Sequence, residues 1–235
     1  GWDNVPITDI FEKHFNVKAV LQNDANAGAL AEWFWGAGFG YRNFIFCTFG
    51  TGFGAGLILN GKLYTGTNDM AGEIGHVRLA DYGPVGYGKM GSVEGFCSGG
   101  GIAQLAKAMV REEMQSGNKV SFCTTEQEIE ELDALAVAKA AVKGDNLAKA
   151  IYARSGEMLG RALAVLVDIL NPDAIAIGSI FTKDRNLLWP HAKRVLSRES
   201  LAISSQACDI LPSSLGDSIG DYEALAVAAE YVANN

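Results

Sequence analysis

The chain has 235 residues, 49% of them hydrophobic and 20% charged, which suits one large domain or two small ones around a sizeable core. A formal net charge of −8, from 19 Lys and Arg against 27 Asp and Glu, argues against a broad basic footprint for nucleic acid or an anionic membrane. Cys47, Cys97, Cys123 and Cys208 form no C-x-x-C pair and are expected to be free thiols of a reduced intracellular protein rather than a disulfide framework.

The opening Gly1-Trp2-Asp3-Asn4-Val5-Pro6 lacks an initiator Met and reads like the interior of a larger protein. Val17 to Gln22 is a short β-prone run, and Asp24 to Trp35 reads as a helix, with Asn23-Asp24 at the junction. Asn43 to Phe49 and Ala55 to Asn60 are β-branched and aromatic around a glycine-rich turn, and Asn60-Gly61 is the strongest short hairpin signal present. A meander of three strands is therefore expected, the last near Lys62 to Thr65.

Residues 66 to 100 are glycine-rich and aperiodic, the composition of loops that carry function on a scaffold. Helical periods follow at Ile102 to Met114, Glu126 to Val142 with a Thr125-x-x-Glu128 capping box, and Leu147 to Leu170, which Asn171-Pro172 ends. Arg161 and Asp168 interrupt the most apolar part of that last helix, no basic-then-apolar leader opens the chain, and a soluble cytoplasmic protein is expected. A buried strand at Ala174 to Ile177, a helix at Asp184 to Leu196, a strand at Cys208 to Leu211 and a helix at Ile219 to Val232 complete an α/β layer pattern without repeats or an internal linker.

Three motifs can carry chemistry. Phe49-Gly50-Thr51-Gly52-Phe53-Gly54-Ala55-Gly56 lets backbone N–H groups face phosphate oxygens, although a tight hairpin alone accounts for such glycines. It lacks the Gly-Lys-Ser/Thr ending of a P-loop, and a strand follows it instead of a helix. Asn23-Asp24-Ala25-Asn26 puts a carboxylate at a strand-to-helix junction, either as a helix cap or as a general base. Ala71-Gly72-Glu73-Ile74-Gly75-His76 and the later Glu94 offer acceptors and donors for several hydroxyls, against the plainer alternative of solvated charges and a packed histidine.

In order and spacing these motifs resemble the ROK family (repressors, open reading frames and sugar kinases). The resemblance spans nearly the whole chain, with weaker matches at Asn171 to Gly178 and Leu215-Gly216-Asp217. It implies an actin-like, hexokinase-type (ribonuclease H-like) α/β fold, and transfer of the ATP γ-phosphoryl to a hexose or N-acetylhexosamine with Mg²⁺ screening the phosphates. By the same resemblance Asp24 matches the general base, and Asn23, Glu73, His76 and Glu94 match sugar contacts. Gly50, Thr51, Gly52 and Gly54 match a phosphate turn, and Gly178 and Ser179 an adenosine-side turn.

Two departures stand out. Where many family members carry three zinc-binding cysteines beside the Gly-His histidine, this chain has Val85, Tyr87 and Ser92, so no structural zinc is expected and packing around Tyr87 and Met90 is expected to hold the loop. The family's opening Asp-x-Gly-Gly-Thr phosphate hairpin occurs nowhere in the sequence. Residues 1–40 and 218–235 are accordingly expected to be remnants of a first lobe and 41–217 the second, and the chain alone is expected to be inactive or nearly so. The rival expectation is a sugar-sensing repressor whose DNA-binding module is absent. Family resemblance also implies a homo-oligomer.

Overall fold

The structure, a computed structural model, describes residues 5–234; Gly1–Asn4 and Asn235, at the outer ends of the two expected first-lobe segments, lie outside the described residues. Helix α1 (Ile7–Phe15) is amphipathic and buries none of its residues. An extended stretch without strand pairing leads to helix α2 (Asp24–Trp35). Strands β1 (Phe44–Phe49), β2 (Phe53–Leu59) and β3 (Lys62–Tyr64) form the antiparallel meander, and positive φ at both Asn60 (55°) and Gly61 (73°) gives the tight turn that the Asn-Gly pair favours.

The following loops hold a 3₁₀ turn (Ile74–His76) and a small hairpin of β4 (Val85–Gly86) and β5 (Lys89–Met90). Helices α3 (Val93–Phe96), α4 (Gly99–Gln115), α5 (Glu126–Glu130), α6 (Ala134–Val142) and α7 (Asn146–Leu170) come next. Asn171 ends α7 in the left-handed conformation, and Pro172 cannot continue it. Then come β6 (Ala174–Ile177), α8 (Ile180–Lys183), α9 (Arg185–Glu199), α10 (Ala202–Ala207), β7 (Asp209–Pro212) and α11 (Ile219–Asn234).

The sheet runs β3-β2-β1-β6-β7, with β6 parallel to both β1 and β7. All four residues of β6, Ala-Ile-Ala-Ile, are buried, as a strand covered on both faces requires. Strand β1 divides its side chains by the two-residue period: Ile45, Cys47 and Phe49 enter the larger core with α4, α6, α7 and α9, while Phe44 and Phe46 meet α2 and α11 on the opposite face. Fully burying each Phe or Ile stabilises the layers by about 1.5–3 kcal/mol.

Helix α2 lies directly on β2, and one residue makes that approach possible. A Cβ on Gly56 would sit 2.3 Å from the Ala25 carbonyl oxygen and 2.5 Å from the Ala29 Cβ. Helix α2 therefore descends onto the hairpin, carrying its N-terminal residues over the glycine-rich turn.

Several expectations need correction. Val17 to Gln22 forms no strand: its β-branched residues have no neighbouring strand among the described residues and are largely exposed. The expected helix over 126–142 is two helices, because Asp133 accepts the Ala136 amide and caps a new start, although the Thr125/Glu128 capping box forms as read. Helices α1, α3, α8 and α10 lie outside the expected elements, and α4 begins at Gly99, where Ser98 caps it.

Candidate active site

The junction at residues 23–26 divides its labour between two side chains. Asn23 is the helix cap, its Oδ1 accepting the amides of Ala25 (2.9 Å) and Asn26 (3.2 Å). Asp24, freed from that task, occupies the first helical position, exposed, with only Oδ1 engaged by the Ala25 amide at 2.8 Å. A negative charge there is favoured by the helix dipole.

Beneath it lies the β1–β2 turn. Thr48 Oγ1 accepts the Gly54 amide at 3.0 Å, Gly52 O the Gly50 amide at 3.1 Å and Glu94 Oε2 the Phe53 amide at 3.1 Å. Among the described residues no acceptor pairs with the amides of Thr51 and Gly52. The backbone available to an anion is thus narrower than the Gly50 to Gly56 run suggested, since Ala55 and Gly56 belong to the sheet.

The Ala71 to His76 segment presses onto the same hairpin. A Cβ on Gly72 or on Gly75 would come within 1.9 Å of the carbonyl oxygens of Ala55 and Phe53 respectively, so glycine is what lets Glu73 approach the turn. Asn23, Asp24, Gly50, Thr51, Gly52, Gly54, Glu73, Glu94 and Ser179 all line one cavity of about 440 Å³. His76 does not line it: the side chain is exposed, and its ring meets Tyr87 edge-on at 6.3 Å.

Gly178 lines an adjoining cavity of about 350 Å³, which shares Thr48 and Ser179 with the first and adds Lys183, Ser213, Gly216 and Asp217. At the seam, Ser179 adopts φ 53° and ψ −116°, a conformation that strains any residue with a side chain. Glu223, on α11, also lines the second cavity; burial, with the charge of Asp24 adding to it, raises its carboxyl above the usual range. Lys183, Ser213 and Glu223 escaped the sequence reading because they belong to no glycine motif and reach the site only through the fold.

Tyr87 and Met90 do not hold the 85–92 loop by packing, being 89% and 44% exposed. Polar bonds hold it instead: the Gln104 side chain pairs with both the amide and the carbonyl of Val85 at 2.9 Å, and Lys89 Nζ donates to the His76 carbonyl at 2.8 Å. Val85, Tyr87 and Ser92 bring no sulfur to His76, a donor set that does not fit a tetrahedral zinc. Among the described residues no three His, Cys, Asp or Glu side chains are grouped to hold a metal ion, and a Mg²⁺ ion at this site would depend on phosphate oxygens and water for most of its shell.

A carboxylate at a helix start, set over a β-hairpin turn on a mixed sheet with helices on both faces, places the chain in the actin-like, hexokinase-type α/β class. The chain belongs to the ROK family, whose sequence profile matches residues 1–230. It is 33% identical over 222 residues to a glucokinase of Halalkalibacterium halodurans, covering 94% of this chain and 66% of that protein. A ROK family transcriptional regulator homologous to the Escherichia coli Mlc protein superposes with a TM-score of 0.81 at 26% identity, over 96% of this chain and 55% of the regulator. A ROK family glucokinase from Streptomyces griseus, in complex with glucose and AMPPNP, superposes at 0.76 and 26%, over 95% and 72%. The chain thus spans about two thirds of the kinases and about half of the regulator. No helix among the described residues is long and apolar enough to cross a membrane.

Proposed function

We propose that the protein to which this chain belongs phosphorylates a hexose, glucose or an N-acetylhexosamine, with ATP. Nine residues read from separate motifs line one 440 Å³ cavity, and that convergence carries the reading. The sugar is held in this cavity by Asn23, Glu73 and Glu94, and the triphosphate runs from the 350 Å³ cavity across Gly178 and Ser179 to the amides of Thr51 and Gly52. His76 acts from outside, at most through the loop it belongs to.

The chemistry follows from the position of Asp24. As the sugar hydroxyl oxygen forms its bond to the γ-phosphorus, the bond from that phosphorus to the β–γ bridging oxygen breaks and ADP departs. The hydroxyl proton passes to an Asp24 carboxylate oxygen. Mg²⁺ on the phosphates would supply charge screening. Residues 41–217 form the nucleotide- and sugar-binding lobe in this reading, and α2 and α11 belong to the other. Turnover by these 235 residues alone is expected near background, because no Asp-x-Gly-Gly-Thr hairpin occurs among them to enclose the phosphates.

A sugar-responsive repressor is the second reading, favoured by the superposition on the regulator. Sensing needs no proton acceptor, whereas phosphoryl transfer does, and the presence of Asp24 in the cavity supports the kinase. Calorimetry of the chain against glucose, N-acetylglucosamine and N-acetylmannosamine tests the site. Binding of one of them, weakened by Glu94→Gln, is expected; binding indifferent to that change overturns the assignment. AMPPNP binding alongside sugar separates kinase from sensor.

A further inference from the structure

Glu32 is the charged residue buried most completely on this side of the sheet. It lies in α2, two turns beyond Asp24, and is 0% exposed. Its carboxylate accepts from the Ala37 amide (2.7 Å), the Ser213 hydroxyl (2.5 Å), the Ser214 amide (3.0 Å) and hydroxyl (3.2 Å), and the Leu215 amide (3.0 Å). None of these donors is a cation. A buried carboxylate so arranged forms a network whose members are fixed together, since losing one leaves charge or donors unpaired in a low-dielectric setting.

Four of the five donors belong to the turn after β7, some 181 residues away in sequence. That turn borders the 350 Å³ cavity through Ser213, Gly216 and Asp217, and Ser213 also donates its amide to the carbonyl of Ile177, beside Gly178. The other end of the connection is the helix that begins with Asp24, about 12 Å along its axis at 1.5 Å per residue. We propose that Glu32 is a positioning residue that latches the 213–217 turn to α2, setting the nucleotide-side cavity in register with the Asp24 carboxylate. This rests on the reading of that cavity as the nucleotide's.

Two variants separate the latch from mere stability. Glu32→Gln keeps the shape but turns an NH₂ group toward N–H and O–H donors. Gly36→Ala removes no polar group, yet its Cβ would fall 2.2 Å from Glu32 Oε2 and displace the carboxylate from outside the cavity. AMPPNP and glucose affinities of the full chain are measured by calorimetry, with hydrogen exchange at Ser214 and Leu215. In both variants AMPPNP affinity is expected to fall about tenfold or more, with faster exchange at those amides, while glucose affinity stays within about twofold. Equal losses for both ligands, or undiminished AMPPNP binding in either folded variant, overturn the latch while leaving the kinase reading intact. A wild-type chain that binds glucose but not AMPPNP overturns the nucleotide reading and the latch together.

Discussion

The Glu94 carboxylate accepts the Phe53 amide at 3.1 Å, joining the start of α3 to the β1–β2 turn. A carboxylate read from sequence as a sugar contact thus also braces the turn read as the phosphate cradle. The two parts of the cavity cannot shift independently, because one oxygen of Glu94 is committed to the hairpin backbone. Hydrogen bonds to an ionised acceptor are roughly twice as strong as neutral ones, which makes this brace stiff.

Gly52→Ala should expose that dependence. Its Cβ would lie 2.8 Å from Glu94 Oε2, so the carboxylate must move while the hairpin itself survives. Hexose affinity is expected to fall about tenfold, the equivalent of one charge-assisted hydrogen bond, with little change in the melting temperature. Calorimetry and a thermal melt check it, and unchanged affinity would show that Glu94 does not hold the sugar.

Asp24→Asn should separate binding from chemistry. The side chain is exposed and Asn23 does the capping, so stability should change by no more than about 1 kcal/mol, the size of a lost helix-dipole contact. Hexose affinity should hold within a few-fold. On the kinase reading, ADP release by the protein to which the chain belongs should fall by about 10²–10⁴, the usual worth of a positioned base. A variant that turns over like the wild type would remove Asp24 from the mechanism.

The sequence was most legible where local chemistry decides. Asn60-Gly61 specified its turn, Thr125 and Glu128 their capping box, and the β-branched and aromatic run ending at Phe49 its strand. Glycine motifs revealed the cavity because their close approaches leave no room for a Cβ, as at Gly56 and Gly72. Val17 to Gln22 misled because β-propensity reflects packing against neighbouring strands, and none adjoins it among the described residues. Glu32 was invisible because its five donors are set by tertiary contacts, and a Glu in a helix otherwise reads as surface.

Ser179→Gly should move stability and binding in opposite directions. The φ of 53° with ψ of −116° costs about 1–3 kcal/mol with a side chain present. Glycine relieves it, offset by about 0.5–1 kcal/mol of added freedom in the unfolded chain. A net gain of about 1 kcal/mol would raise the melting temperature by about 2–4 °C. AMPPNP affinity should fall, because Ser179 lines both cavities and the substitution removes its hydroxyl. Tighter AMPPNP binding together with greater stability would show that Ser179 is only strain.

Glu223 gives a pH signature with an unusual sign. Burial first, and the Asp24 charge second, raise its carboxyl above the ordinary value of 4.5, so the folded state binds its proton more tightly than the unfolded state does. The stability it contributes is fully present below the unfolded value and is lost as pH rises through the folded one. Glu12, Glu128 and Glu130, held below their ordinary values chiefly by hydrogen bonds, act in the opposite sense but are common to both proteins in a comparison with Glu223→Gln. Relative to wild type, the Gln variant should gain stability as pH rises above about 4.5, read as a rising difference in urea midpoints. Adding Asp24→Asn to both should shrink that rise, since one of its two causes is gone. A difference that stays flat as pH rises, or falls, would mean that the Glu223 carboxyl is not raised in solution, and a rise undiminished by Asp24→Asn would mean that it does not face the Asp24 charge.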